Sequence, residues 1–197
     1  SYEADADVFD IATPGDIFNE SFVYEANDGN GGTDQATVDL TVTIIDDGST
    51  IIVGNGGGVT YGTDGDDYIE TGNGTDTVFG LDGADTILGG RGNDIIDGGE
   101  SIDTIDGGRG DDILIGGLGN DIVTGGKGSD PFVIGLGEGT DTWTDFGDGG
   151  DLIGLSGGLT FGDLTFAGND ISAGAETLAT LIGVDTTTLT SADFIAY

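Results

Sequence analysis

Cysteine, histidine and methionine are absent from this 197-residue chain, proline occurs twice, and only three residues are basic. Without cysteine there is no disulfide and no thiolate metal site. Without histidine the chain lacks the commonest general base and the commonest zinc ligand. Carboxylates and carbonyls are what remain, and these suit hard cations. Acidic residues outnumber basic ones 38 to 3, for a formal net charge of −35. Such a chain repels nucleic acid and anionic membranes, and metal cations are its natural counter-charge. No apolar run reaches the ~18 residues needed to span a bilayer, and no signal peptide opens the sequence. With no initiator methionine, it reads as the C-terminal part of something longer.

Glycine is plentiful, at 42 residues, and nearly half of it falls in a repeat. From Gly62 to Val133 a nine-residue unit, G-G-x-G-x-D-x-U-x with U apolar, recurs eight times without a gap; its best copies are Gly89–Asp97, Gly107–Ile115 and Gly116–Thr124. This is the pattern of a calcium-binding parallel β-helix. Glycine at position 4 (Gly65, Gly74, Gly83, Gly92, Gly110, Gly119, Gly128) is expected to make a tight turn with positive φ. Position 6 is always aspartate: Asp67, Asp76, Asp85, Asp94, Asp103, Asp112, Asp121 and Asp130. Position 8 is always apolar, from Ile69 and Val78 through to Val123 and Phe132, and should point inward from a short strand.

Two nonapeptides make one coil, so odd and even copies fall on opposite edges. Coils stack at the interstrand spacing of about 4.8 Å, which lines the position-6 aspartates into two columns of like charge. Neighbours at that spacing repel by about 1 kcal/mol in water, and more where the dielectric is lower. A divalent cation between stacked turns, held by carboxylates and turn carbonyls, removes that repulsion. Eight inward side chains are a thin core for so many ordered residues, so metal binding is expected to supply folding free energy.

At the level of these repeats the chain resembles the RTX (repeats-in-toxin) family. The resemblance implies an all-β chain whose centre is a right-handed parallel β-roll, with calcium between turns of adjacent coils. It makes the eight position-6 aspartates side-chain ligands. It adds the carbonyls of positions 1, 3 and 5: Gly62, Asp64, Asp66, Gly80, Asp82, Gly89, Arg91, Asn93, Gly107, Arg109, Asp111, Gly116, Leu118 and Asn120. Three enclosed sites on each edge imply about six ions, with more conceivable at the caps. The fifth copy has Ser101 at position 4, where a strained or altered turn is expected. Below the roll Asp141, Asp145, Asp148 and Asp151 are further candidates, Asp145 and Asp151 foremost, with turn capping as the alternative. Trp143 is expected to cap the open end of the roll.

The flanks also read as β-structure. Thr37 to Ile44 alternates polar and apolar strictly, Ser21–Glu25 forms a second strand, and the Asn27–Gly32 segment between them favours a hairpin. These residues resemble the end of a bacterial cadherin-like or immunoglobulin-like module, a partial β-sandwich. Asp28 and Asp34 read as turn formers rather than ligands. The expected organisation is therefore 1–47 as the end of such a module, 48–61 as a linker and N-terminal cap containing Ile51–Val53, 62–133 as the roll, and 134–197 as a β-rich C-terminal cap. The final Asp193–Tyr197, one acid followed by apolar residues, resembles the uncleaved type I secretion signals of RTX proteins.

All three basic residues, Arg91, Arg109 and Lys127, occupy position 3 of even copies, and should stack as a cationic column. On the other edge position 3 holds Asp64, Asp82, Glu100 and Leu118. Such a column either neutralises local carboxylates or meets the acidic edge of a neighbouring molecule. The functional expectation is a non-enzymatic, calcium-binding C-terminal region of a secreted, cell-surface structural or adhesive protein, S-layer- or adhesin-like, that folds on calcium after type I secretion. The alternative is the export and folding tail of a secreted hydrolase or toxin whose catalytic domain lies upstream. Expected partners are calcium ions and further copies of the chain, meeting through roll edges or the incomplete N-terminal module, with no nucleic acid and no membrane insertion. Ice binding needs a regular Thr/Asn array, and the irregular positions 3 and 5 argue against it.

Overall fold

The computed structural model describes residues 17–27, 33–43, 49–54, 56–147 and 150–197. The chain divides into two compact units, Ser1–Asp46 and Asp47–Tyr197. In the first, β1 (Ile17–Asn27) pairs antiparallel with β2 (Thr33–Thr43), in a register running from Ile17 opposite Thr43 to Asn27 opposite Thr33. The hairpin expected from the alternation is therefore present and longer than the sequence pattern alone required. Asp28 and the rest of its turn lie outside the described residues.

The second unit is a solenoid. Its strands alternate between two sheets: β3 (Thr50–Ile52), β4 (Val59–Tyr61), β5 (Tyr68–Glu70), β6 (Thr77–Leu81), β7 (Thr86–Leu88), β8 (Ile95–Glu100), β9 (Thr104–Arg109), β10 (Ile113–Leu118), β11 (Ile122–Lys127), β12 (Pro131–Ile134), β13 (Asp141–Trp143) and β14 (Leu152–Leu155). One sheet runs β4-β6-β8-β10-β12-β14 and the other β3-β5-β7-β9-β11-β13, every pair parallel. Ile51, Ile69, Ile87 and Ile105 stand one above the next, 18 residues apart. That is the two-nonapeptide coil. The position-8 side chains fill the axis, none more than 2% exposed.

The ladder outruns the repeats at both ends. Thr50–Ile52 and Val59–Tyr61 already pair in parallel one coil before the first repeat strand of each sheet. After Val133 the coil lengthens, so that Trp143 stands over Val123 and Ile153 over Phe132, while the pairing stays parallel. Trp143, 1% exposed, closes the apolar axis with its ring 4.8 Å from Phe132 and 5.6 Å from Phe146. Beyond it β15 (Leu164–Ala167), β16 (Asp170–Ala173) and β17 (Glu176–Leu181) form an antiparallel meander, and β17 joins β13 in parallel. The last strand, β18 (Phe194–Ala196), pairs with β14. Among the described residues no helix is long and apolar enough to cross a membrane.

The turns differ from the expectation in one respect. Position 4 is left-handed at Gly74, Gly83, Gly92, Gly110 and Gly128, but neither Gly65 nor Gly119 has positive φ. A second left-handed point occurs at position 2, at Gly72, Gly90, Gly99, Gly108, Gly117 and Gly126, and also at Leu81 with φ 83°. Ser101 keeps a positive φ, at 85° against 115–149° for the left-handed position-4 glycines, a conformation that costs a non-glycine residue roughly 1 kcal/mol. The fifth copy is thus strained rather than rebuilt.

Candidate metal centre

Each position-6 aspartate sits just before a strand, where the chain comes off the turn, and points into the roll. Its Oδ1 accepts a backbone N–H from one coil earlier, that of Ser49 for Asp67 and of Gly58 for Asp76, and thereafter that of the preceding aspartate: Asp67 N donates to Asp85, Asp85 N to Asp103, and Asp103 N to Asp121, at 2.8–2.9 Å. On the other edge Asp76 N donates to Asp94, Asp94 N to Asp112 and Asp112 N to Asp130, at 2.7–2.8 Å. Two carboxylate columns therefore run the length of the solenoid, as the 18-residue period predicts.

The second oxygen of each group is the informative one. Among the described residues, the buried side-chain atoms with no hydrogen-bond partner are the Oδ2 atoms of Asp76, Asp85, Asp94, Asp103, Asp112, Asp121 and Asp130. A buried polar atom left unpaired costs about 1–3 kcal/mol, and more when charged. Burial is the largest cause pushing Asp103 and Asp112 up to about 7 and Asp130 up to about 6. Backbone N–H donation opposes the shift, and neighbouring carboxylates of the column add to it. Asp85, Asp94 and Asp121 are raised for the same leading reason.

The space facing these oxygens is kept open by glycine at position 1. A Cβ on Gly107 would lie 2.7 Å from Asp112 Oδ2 and 2.8 Å from the carbonyl oxygen of Gly125. Gly80, Gly89 and Gly98 stand in the same relation to Asp85, Asp94 and Asp103 and to the carbonyls of Gly98, Gly107 and Gly116. Gly116 and Gly125 likewise face Asp121 and Asp130. Six cradles thus combine an orphaned carboxylate oxygen with a bare glycine, and in the first four a carbonyl of the next coil completes the set. Hard oxygen donors around a space that a methyl group would fill fit a calcium ion. Among the described residues no three carboxylates gather at one point, so carbonyls would have to supply much of any coordination shell.

The first two copies differ. Asp67 Oδ2 accepts both the N–H and the hydroxyl of Thr63, at 2.6 and 3.1 Å. In the second copy Thr71 occupies position 1, and its hydroxyl donates to the carbonyl of Gly89 at 2.8 Å. In the first copy Gly62 still leaves the position-1 space open, and it is Thr63 that partners the carboxylate; in the second, Thr71 takes the glycine's place. The position-3 carbonyls of Arg91 and Arg109 accept the N–H of Gly74 and Gly92, so part of their donor capacity is engaged. At position 5, the side chains of Asp66, Asn93, Asp111 and Asn120 accept a backbone N–H from the following coil, forming an outer ladder. Position 5, expected from the repeat to offer its carbonyl, thus also works through its side chain.

Downstream, Asp151 continues one column: its Oδ1 accepts Asp130 N at 3.0 Å and its Oδ2 accepts Gly147 N at 2.6 Å. The other column continues through Asp141, which accepts Asp121 N at 3.2 Å and is 5% exposed. Asp145, preferred over Asp141 from the sequence, instead accepts Gly125 N and Gly126 N at 2.9 and 2.8 Å. Asp148 lies outside the described residues. The signal for Asp141 was present in Asp141-Thr142-Trp143, which keeps the aspartate-x-apolar core of the repeat. Arg91, Arg109 and Lys127 stack in register as expected, exposed on one edge.

Residues 61–96 and 97–130 match the family described as RTX calcium-binding nonapeptide repeat (4 copies). No curated protein sequence matches the chain. Among solved structures, the extracellular lipase LipA from Serratia marcescens is similar at 18% identity and a TM-score of 0.36, over 76% of this chain. The chain spans 40% of that protein's length.

Proposed function

We propose that this chain, whose residues 61–96 and 97–130 match the RTX calcium-binding nonapeptide repeat, is the calcium-folded C-terminal region of a secreted, cell-surface structural or adhesive protein of S-layer or adhesin type. The observation that carries the calcium reading is the pair of aspartate columns whose Oδ2 atoms are buried without partners beside glycine cradles. Asp85, Asp94, Asp103, Asp112, Asp121 and Asp130 would hold the ions, with position-1 carbonyls and those of positions 3 and 5 completing the shell. Six cradles make six the proposed stoichiometry. The cations would supply neutralising charge, so that the columns stop opposing the fold. The β1–β2 hairpin ahead of the roll, with its Asp28–Asp34 segment reading D-G-N-G-G-T-D, supports a modular surface protein. With no histidine or cysteine in the chain, we assign it no catalysis of its own.

Circular dichroism and isothermal titration test this reading. Chelator-treated chain at pH 7.5 should be largely unfolded, gain β-structure cooperatively with calcium, and bind about six ions. A chain fully folded in chelator, with no heat of calcium binding, sinks the proposal. The parent sequence upstream of Ser1 separates the surface-protein reading from that of a hydrolase or toxin tail: tandem β-modules support the first, and a catalytic signature the second.

A further inference from the structure

The three cations stand on one edge of the roll in a single column, Arg91 beside Arg109 beside Lys127, and each is exposed. They border an open groove floored by the backbone of Gly72, Gly90, Gly108 and Gly126. Glu70 and Asp106 share the groove, yet none of the three cations forms an ion pair with a described residue. Local neutralisation therefore does not explain why every basic residue of the chain is here. The opposite edge presents Asp64, Asp82 and Glu100, also exposed, also one per coil, and equally without ion pairs among the described residues.

Both columns have the pitch of the same solenoid, so they match tooth for tooth. From the calcium-folded roll proposed above, we infer that the basic edge docks the acidic edge of a second copy of this chain. With the axes parallel, Arg91 meets Asp64, Arg109 meets Asp82 and Lys127 meets Glu100. Each pair is separated by 27 residues in sequence, one and a half coils, so adjacent copies are staggered by about 7 Å along the axis. The surfaces that meet are different, so the contact is heterologous and does not close. It generates an open row rather than a dimer. Exposed ion pairs are individually weak and screened by salt. The row should therefore grow only at high local concentration, as on a crowded surface, and should dissolve in high salt.

The test uses calcium-loaded full chain in sedimentation velocity at rising concentration, in low and high sodium chloride. Wild type should associate in low salt and return to monomer in high salt. Arg109→Glu with Lys127→Glu, and separately Asp82→Lys with Glu100→Lys, should each weaken association at least tenfold. Mixing the two variants should restore it, because each retains the edge that the other needs. Since the chain has no native cysteine, Arg91→Cys mixed with Asp64→Cys should cross-link on oxidation, whereas Arg91→Cys mixed with Glu100→Cys should not. Far-UV dichroism in calcium confirms that each variant is folded, which separates failure of the docking from failure of the calcium reading. Folded variants that associate like wild type would overturn the inference, as would a mixture that stays monomeric. So would a wild type that binds the polyuronate alginate through Arg109 and Lys127 but never itself.

Discussion

Replacing Asp112 by asparagine should move stability in opposite directions with and without calcium. Asparagine keeps the Oδ1 that accepts Asp94 N at 2.7 Å, so the backbone ladder survives. The change is confined to Oδ2, buried and unpartnered in the native chain, which becomes an amide that faces the carbonyl of Gly125. Burial first, then the charges of Asp94, Asp130 and Asp111, raise Asp112 from 3.8 to about 7 against the pull of its backbone hydrogen bond. A raised carboxyl contributes stability that is full below pH 3.8 and lost as pH climbs through about 7. Holding the charge at pH 8 costs about 4 kcal/mol for such a shift, or about 2 kcal/mol once solvent screening on so thin a molecule is allowed for. In chelator the Asp112→Asn chain should therefore fold from acid at a higher pH midpoint than wild type, and the two should converge near pH 4. In calcium the sign reverses. One anionic ligand is gone from the Gly107 cradle, and the calcium midpoint should rise about tenfold, which is about 1.4 kcal/mol. Far-UV dichroism follows both titrations. An asparagine variant that folds at lower pH than wild type in chelator, or one whose calcium midpoint does not move, would refute the reasoning.

The acid effect should be general: with Asp103, Asp112 and Asp130 all raised, chelated wild-type chain should gain β-structure as pH falls from 8 to 5, detectable by dichroism. Gly107→Ala places a methyl group between Asp112 Oδ2 and the Gly125 carbonyl. Titration calorimetry should show one fewer ion bound, while the acid-induced fold is affected less. Ser101→Gly relieves the residue at φ 85° and should stabilise the calcium form by about 0.5–1 kcal/mol in urea unfolding. Trp143→Ala removes the ring that caps the apolar axis and should cost about 3–5 kcal/mol, measured the same way. As the sole tryptophan, native Trp143 should shift its emission to the blue on calcium binding.

The repeated part of this molecule was readable because its period is rigid. Position 6 is followed by x-apolar in every copy, and the same 18-residue step appears in Asp67-to-Asp85 and Ile69-to-Ile87. Where the period breaks, Asp151 was still singled out but Asp141 was passed over for Asp145, for a physical reason. The step from Asp121 to Asp141 is longer by two residues and that from Asp130 to Asp151 by three, because loops are inserted between the strands. Counting residues loses the register there. The carboxylate-to-amide bond does not, since it depends only on the aspartate arriving over the previous coil. The left-handed backbone of Leu81 was also hidden, because nothing in a leucine announces φ 83°. Its neighbours in the column, Gly99 and Gly117, impose that conformation through the parallel pairing. Thr63 and Thr71 were visible as departures from the consensus, but only their hydroxyl contacts show that one partners Asp67 and the other takes a position-1 glycine's place.

The strands of the roll lie across its axis, and each coil is bonded chiefly to the coils before and after it. Tension between the first and last coils would therefore not shear a sheet; it would peel the solenoid one coil at a time. Each coil released pays out 18 residues, about 60 Å of extended chain in place of about 5 Å of stacked height. Ions held in the six cradles would latch neighbouring coils together, so the force needed for each step of such peeling is expected to rise with calcium concentration.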